Sequence, residues 1–431
     1  MNKKKIEIGV VGLGYVGLPL AVSFAQKYTV KGFDTNKQRI HQLKSGFDLT
    51  EEVDSDDLKN AYQLSLHTDI VELSECNVFI VTVPTPVDPK NKPDLSSIYS
   101  ACTGIAQILK LNDIVVFEST VYPGATEEVC VPLLEKYSNL KYNVDFFVGY
   151  SPERINPGDK RSKFTNTSKI VSGSNEVVAE QLKDLYSTVI SASVHKADSI
   201  KVAEASKVIE NAQRDVNIAF MNEVSQILYR LGIDSKAVFD AAATKWNFIQ
   251  MNPGLVGGHC IGVDPHYLIY KAEMSDCNAA LLKTARSVNE DTVDFAASEI
   301  IKKLLKSTKN IEDINIGVFG VTFKENCPDI RNSKIFPLIN CLKNAGFTTY
   351  VFDPVASEIE VEREHGVKIN CVNPEKFLDC AVIAVGHNQY RSMGIEGIFE
   401  FLKTDAILVS DLKSIYSRKK IVENGYDVFS L

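Results

Sequence analysis

Short apolar runs alternate with amphipathic stretches along the first third of the chain. Ile6–Val11, Val30–Phe33, Val78–Val83, Ile114–Phe117 and Phe146–Val148 are rich in β-branched residues and bounded by turn formers, the pattern of buried strands. Leu18–Lys27 and Leu95–Leu109 carry a helical period between them. That alternation predicts a doubly wound parallel sheet. From Ser199 to Leu231 neither Pro nor Gly occurs, apolar residues recur at three- and four-residue spacings, and Gly232 follows as a stop. About 33 residues at 1.5 Å each give a helix of roughly 50 Å. Such a helix exceeds the needs of one small domain, so it is expected to pack against a second subunit as well as to connect domains. After Thr308 the alternation returns, with strands expected at Ile314–Phe319, Thr349–Phe352, Ala381–Val385 and Ala406–Val409. The first and last thirds share a strand that ends in an acid, Asp34 in one and Asp353 in the other.

Composition narrows the class. Of 431 residues, 45% are hydrophobic and 24% charged, which is ordinary for a globular protein and excludes a disordered or collagen-like chain. Lys and Arg number 47 and Asp and Glu 55, so the formal charge is 47 − 55 = −8. A mildly acidic surface argues against nucleic acid as a partner, while leaving room for a local basic pocket. Nine scattered cysteines with no C-x-x-C pair suggest neither a zinc ribbon nor a disulfide framework. The N-terminus is basic but runs straight into a strand pattern, unlike a signal peptide. No apolar stretch reaches about 18 residues, so no membrane span is expected. A reducing cytoplasm fits these features.

The strongest local signal is Gly12-Leu13-Gly14-Tyr15-Val16-Gly17, a G-x-G-x-x-G loop that follows a strand, opens a helix and precedes Asp34 at the end of the next strand. Gly12 allows the tight turn, Gly14 admits a pyrophosphate to the backbone, and Gly17 permits close helix–strand packing. The helix start offers free N–H groups and the positive end of a dipole. Asp34 suits a ribose diol and would repel a 2′-phosphate, which favours NAD over NADP, although Arg39 lies nearby. The fold expected is therefore α/β, with two Rossmann-like α/β domains joined by a long central helix and a helical middle domain. The expected boundaries are 1–198 for cofactor binding, 199–308 for the helical middle and 309–431 for the second α/β domain.

A second constellation carries reactivity. Residues 252–265, NPGLVGGHCIGVDP, set Gly254, Gly257, Gly258 and Gly262 around Cys260. Paired glycines let backbone pass close to a bulky ligand. A lone cysteine is usually a small hydrophobe, but this loop also holds His259 and Asp264, which favours a nucleophile. A metal set of His259, Cys260, Asp264 and His266 is disfavoured, because adjacent His259 and Cys260 would point apart. On the long helix, Lys207 and Asn211 stand one turn apart, with Arg214 continuing the stripe. An ammonium beside an amide can hold a developing oxyanion. Glu118–Gly124 ends a strand and puts hydroxyls at the ligand edge of the sheet. Tyr150–Gly158 sets Glu153 beside Arg154 on a loop. Phe323–Arg331 follows the first strand of the last domain, where Lys324 and Arg331 would suit a pyrophosphate.

Together these motifs resemble the UDP-glucose/GDP-mannose dehydrogenase family over nearly the whole chain: the glycine loop, VTVPTP at 81–86, ESTVYPG at 118–124, SPER at 151–154, the Lys-x-x-x-Asn helix, the GGHC loop and FKENCPDIR. SPERINPGD, NPGLVGGHCIGVDP and FKENCPDIRNS resemble its UDP-N-acetylhexosamine 6-dehydrogenase branch, the Vi-antigen type. His259 before the cysteine and Arg154 after Glu153 depart from the UDP-glucose pattern. The resemblance implies a four-electron oxidation of a sugar C6 hydroxymethyl to a carboxylate with NAD as cofactor, in surface polysaccharide biosynthesis, by a cytoplasmic homodimer that takes a UDP-sugar. Cys260 would form a thiohemiacetal and then a thioester. Lys207 and Asn211 would stabilise the oxyanion, Asp264 would handle a water or proton, and Glu153 and Thr120 would position the hydrolytic water. The glycine loop with Tyr15, Val16, Asp34 and Arg39, together with Thr85, Thr120 and Arg331, would contact the cofactor. Arg154, Arg214, Gly257 and Lys324 would join Glu153, Lys207 and Asn211 around the substrate, and no metal is implied. UDP-GlcNAc or UDP-GalNAc is the expected substrate, with UDP-ManNAc or UDP-glucose as alternatives. A single-step β-hydroxyacid dehydrogenase and a non-catalytic NAD-binding module also share parts of this pattern.

Overall fold

The computed structural model describes residues 5–50, 52–154, 164–370 and 376–431. The chain divides into two compact units, Met1–Glu210 with His266–Asn278, and Asn211–Pro265 with Ala279–Leu431.

The first unit is built on an eight-stranded sheet. Its strands are β1 (Glu7–Val11), β2 (Thr29–Phe33), β3 (Leu64–His67), β4 (Val78–Val81), β5 (Ile114–Phe117), β6 (Phe147–Tyr150), β7 (Lys169–Gly173) and β8 (Val194–Lys196), in the order β3-β2-β1-β4-β5-β6-β7-β8. The first six lie parallel in the order of a dinucleotide-binding sheet, with the switch point between β1 and β4. The strands expected in the first third all lie parallel; β7, which the sequence pattern did not reveal, runs antiparallel to β6, with Gly149 opposite Gly173 and Tyr150 opposite Ser172. Both glycines are sterically required, since a Cβ on Gly149 would lie 2.2 Å from Leu182 and one on Gly173 would lie 2.4 Å from the Ala179 nitrogen. The helix Glu176–Ser187 thereby packs directly on the strand pair.

The second unit holds β9 (Asn315–Phe319), β10 (Thr348–Phe352), β11 (Cys380–Ile383), β12 (Leu408–Asp411) and β13 (Asp427–Phe429), all parallel in the order β10-β9-β11-β12-β13. Helices Ala280–Leu304 and Ile335–Asn344 cover one face through Val293, Ala296, Ile300 and Leu338. Helix Asn388–Phe399 covers the other, where Phe319 stacks on Phe352 at 4.9 Å between ring centres.

The long helix spans Ile200–Arg230, within a residue of expectation at each end. The Ser199 hydroxyl accepts the Val202 N–H at 3.2 Å at its start. At its end Gly232 adopts φ +72°, the Ile233 N–H reaches the Leu228 carbonyl, and the Gly232 N–H reaches Tyr229. That is a Schellman stop, and glycine at the left-handed position makes it cheap.

Candidate active site

The glycine loop of the first unit has the shape of a cradle. Gly12 adopts φ +96° and donates its N–H to the Phe33 carbonyl at 2.8 Å, turning the chain from β1 toward the helix Gly17–Phe24. A Cβ on Gly17 would lie 1.9 Å from the Gly12 carbonyl oxygen, so only glycine closes this turn. A Cβ on Gly14 would meet nothing within 4 Å, which leaves the open approach a pyrophosphate needs. Val16 occupies the N-cap of that helix and makes no side-chain cap bond. Tyr15 beside it is half-buried. The Asp34 carboxylate accepts N–H groups from Leu13 at 2.9 Å and Asn36 at 2.8 Å. These features fit a dinucleotide. Arg39 is buried, donates to the Leu13 carbonyl at 2.9 Å and pairs with Asp48 at 2.8 Å. Its guanidinium braces the loop from behind.

Beyond the switch point, the Thr85 hydroxyl donates to the Thr120 carbonyl at 2.7 Å, joining the two loops that carry these candidates. Tyr267 donates its hydroxyl to the Thr85 carbonyl at 2.6 Å. The turn after Thr120 is held by Glu204 of the long helix, which accepts the N–H groups of Gly124 at 2.5 Å and Thr126 at 2.9 Å. Burial pushes the Glu204 carboxyl up to about 7, against those donors.

At the ends of β5 and β6 lies a charge cluster that sequence reasoning did not assemble. Lys169, the first residue of β7, places its ammonium 2.5 Å from Glu118 and 3.4 Å from Glu153. Tyr186 donates its hydroxyl to Glu118. A buried acid at a strand end signals that such a partner exists, but nothing in spacing names Lys169. Arg154 pairs with Glu210 at 2.6 Å and donates to the Ser168 carbonyl at 3.1 Å. The rest of its motif, residues 155–159, lies outside the described residues. On the long helix Lys207 and Asn211 are buried, whereas Arg214 is exposed and does not share their surroundings.

The cysteine loop belongs to the second unit. Asn222 clamps its start, accepting the Gly254 N–H at 2.8 Å and donating to the Gly254 carbonyl at 3.1 Å. Gly257 and Gly258 are required by contact: their Cβ atoms would lie 2.5 Å from the Asn332 carbonyl oxygen and 2.7 Å from the Phe323 ring. Cys260 is half-buried, while Cys76, Cys102, Cys130, Cys327 and Cys380 are buried. Its carbonyl accepts the Asp264 N–H at 2.8 Å, so the thiol stands one turn ahead of the helix Asp264–Met274. The Asn211 amide donates to Asp264 at 2.5 Å, which brings two predicted residues together beside that turn. His259 turns to Asp329 at 2.7 Å, with Arg331 3.0 Å from the same ring nitrogen and also paired to Asp329. These partners, led in strength by the His259 hydrogen bond, hold the Asp329 carboxyl well below the usual range despite its burial. Lys324 is half-buried, its ammonium 5.8 Å from the Phe323 ring centre. Lys413, overlooked in the sequence, sets its ammonium 3.5 Å from where a Cβ on Gly254 would stand.

The NAD binding domain of the UDP-glucose/GDP-mannose dehydrogenase family matches residues 6–190, its central domain residues 201–291, and its UDP binding domain residues 317–418. The chain belongs to this family. UDP-N-acetyl-D-glucosamine 6-dehydrogenase of Pseudomonas aeruginosa is 48% identical over 97% of this chain and 99% of its own. The protein of that name from Salmonella typhi is 46% identical over 95% of this chain and 96% of its own. Among solved structures, a UDP-D-ManNAc dehydrogenase from Pyrococcus horikoshii superposes with a TM-score of 0.89 at 29% identity, covering 99% of both chains. As a member of this family the chain is an NAD-dependent dehydrogenase that acts on a UDP-sugar. No helix among the described residues is long and apolar enough to cross a membrane.

Proposed function

We propose that this dehydrogenase oxidises the C6 hydroxymethyl of a UDP-N-acetylhexosamine, UDP-GlcNAc or UDP-GalNAc, to the carboxylate in two steps joined by a covalent tether on Cys260. The observation that carries the reading is the half-buried Cys260 in a glycine-lined turn, one helical turn before Asp264, whose carboxylate Asn211 holds at 2.5 Å. Bound NAD supplies the hydride acceptor, and two molecules are used in succession. Lys207 and Asn211 stabilise the oxyanion that develops on the C6 oxygen. The Cys260 sulfur bonds to the C6 aldehyde as a thiohemiacetal, which keeps the aldehyde from escaping, and loss of a second hydride leaves a thioester. Water directed by Glu153 and Thr120 adds to C6, the C–S bond breaks, and the sugar leaves as its carboxylate while the sulfur regains a proton. Asp264 and Lys207 handle the protons of these steps. Lys324 meets the UDP, and Arg331, set by His259 and Asp329, meets the cofactor.

The N-acetylhexosamine assignment is supported by the two relatives named for UDP-N-acetyl-D-glucosamine, which are much closer in sequence than the UDP-D-ManNAc enzyme. We assign cofactor binding to residues 1–198, the helical middle to 199–308 and UDP binding to 309–431. Val202, Ile209, Phe220 and Ile227 are exposed along the long helix, an apolar face suited to a second copy in a cytoplasmic homodimer. A role in surface polysaccharide assembly follows from the branch resemblance. The test counts NADH formed per mole of UDP-GlcNAc, UDP-GalNAc, UDP-ManNAc and UDP-glucose, run to completion. Two per mole with an N-acetylhexosamine of the first pair is expected. One per mole, or turnover confined to UDP-ManNAc or UDP-glucose, overturns the reading.

A further inference from the structure

The reversal of β7 has a chemical consequence. In a parallel strand the first residue lies at the edge away from the ligand; in antiparallel β7 it rises to the edge where β5 and β6 end. Tyr150 pairs with Ser172, and continuing that register sets Glu153 opposite Lys169. The Lys169 ammonium lies 2.5 Å from Glu118 at the end of β5 and 3.4 Å from Glu153 on the loop after β6. Tyr186, from the helix Glu176–Ser187, donates to the far oxygen of Glu118. Lys169 is 3% exposed, Glu118 1% and Glu153 8%. The Phe164 ring lies 5.4 Å from the ammonium. Arg154, next to Glu153, turns its guanidinium to Glu210 and its N–H to Glu153 at 2.6 Å. Glu118, Glu153, Lys169 and Tyr186 thus make up the charged and titratable groups joined by these contacts.

We propose, resting on the tethered mechanism above, that Lys169 is a positioning residue for thioester hydrolysis: anchored by Glu118 and Tyr186, it fixes the Glu153 carboxylate that directs the water. In that step the water held by Glu153 bonds through its oxygen to C6, its proton passes by way of Asp264 and Lys207 to the departing sulfur, and the C–S bond breaks. One cation faces two carboxylates, so the cluster carries a net negative charge when both are ionised. Burial pushes Glu118 up to about 6, with Lys169 opposing that rise and Glu153 adding to it. Burial draws the Lys169 ammonium down, but the two carboxylates outweigh it and keep it charged.

The experiment uses the full-length enzyme with NAD and UDP-GlcNAc or UDP-GalNAc, whichever is turned over. Lys169→Met is expected to lower kcat at least about 10-fold with little change in KM, to move the acid limb of the kcat profile to higher pH, and to accumulate the acyl adduct on Cys260 by intact mass. Lys169→Arg should restore kcat and the limb. Glu118→Gln should move the limb the other way, because it removes the negative charge beside Glu153, and Tyr186→Phe should do so in part, because Glu118 loses the donor that favours its ionised form. These two also carry the test if Lys169→Met fails to fold. A limb that stays put in all four variants, or moves in the same direction in all, overturns the proposal. Glu153→Gln separates the two ideas. An adduct in Glu153→Gln but not in Lys169→Met sinks the role of Lys169 alone. No adduct in either, with Cys260→Ser still releasing two NADH per sugar, sinks the tether itself.

Discussion

The backbone N–H of Leu13 donates to the Asp34 carboxylate at 2.9 Å, across the turn that Gly12 opens. The second unit repeats the arrangement: the Val321 N–H donates to Asp353 at 2.6 Å, across a turn opened by Gly320 at φ +93°. In both, the acid at the end of the neighbouring strand braces the first turn after the leading strand. In the second unit His387 adds a contact to Asp353 at 3.3 Å. The carboxylate of Asp34 thus holds the loop, and we propose for it a second task toward a ribose.

Those two tasks predict a particular failure for Asp34→Ala. Removing the carboxylate loosens the glycine turn and deletes the ribose acceptor, so KM for NAD should rise about 10-fold or more. Little is gained with NADP, because Arg39 is committed to the Leu13 carbonyl and Asp48 and does not wait for a 2′-phosphate. Steady-state kinetics with both cofactors checks this. NADP activity rising to match NAD would show that Arg39 is available after all.

Long, periodic and sharply bounded elements were legible in the chain. The helix Ile200–Arg230 was readable because no Gly or Pro interrupts it and Gly232 stops it. The loop at Gly12 was readable because each glycine has its own steric reason. β7 was not, since it opens on Lys169 and closes on Gly173, neither a strand former. Missing β7 hid the Glu118–Lys169–Glu153 cluster, which exists only once the strand order is known. Arg39 looked available because its partner Asp48 lies in a segment without periodic pattern. Arg214 does extend the Lys207–Asn211 stripe, but seven residues beyond Lys207 it stands about 10 Å further along the helix axis, where the stripe is exposed. Lys413 was invisible because its nearness to Gly254 depends on where β12 ends.

The thiol of Cys260 makes the second prediction. Serine at this position is a poorer nucleophile than cysteine, so Cys260→Ser should stall after one hydride, with the aldehyde free or held on the protein as a hemiacetal. One NADH per active site in a single turnover, followed by a rate at least about 10³-fold below wild type, is expected. Undiminished release of two NADH per sugar would mean that the sulfur takes no part.

The buried pair on the long helix makes the third. Lys207→Ala should lower kcat by about 10²–10³ with a smaller change in KM, since an oxyanion donor acts mostly in the transition state. Asn211→Ala should cost as much or more, because the same amide also holds Asp264 at 2.5 Å. The two losses should fall short of additive in the double variant, as both serve one oxygen. A change confined to KM would assign Lys207 to ground-state binding.

The fourth prediction concerns pH and stability. Glu204 is fully buried under the Gly124–Thr126 turn, and its carboxyl is raised from 4.5 to about 7, chiefly by burial. An acid whose folded value is raised keeps its proton in the native state while the unfolded chain releases it. Its stabilising contribution is therefore present below about 4.5 and is lost as pH climbs toward about 7, beyond which it changes no further. The whole difference is worth roughly 3 kcal/mol, or several degrees in melting temperature. Glu204→Gln removes this titration, although its amide satisfies only one of the two N–H groups. The gap between wild-type and Glu204→Gln melting temperatures should thus be widest at pH 5 and narrow toward pH 8. Calorimetric scans at half-unit intervals would measure it, and parallel profiles would mean that Glu204 keeps an ordinary carboxylate charge inside the fold.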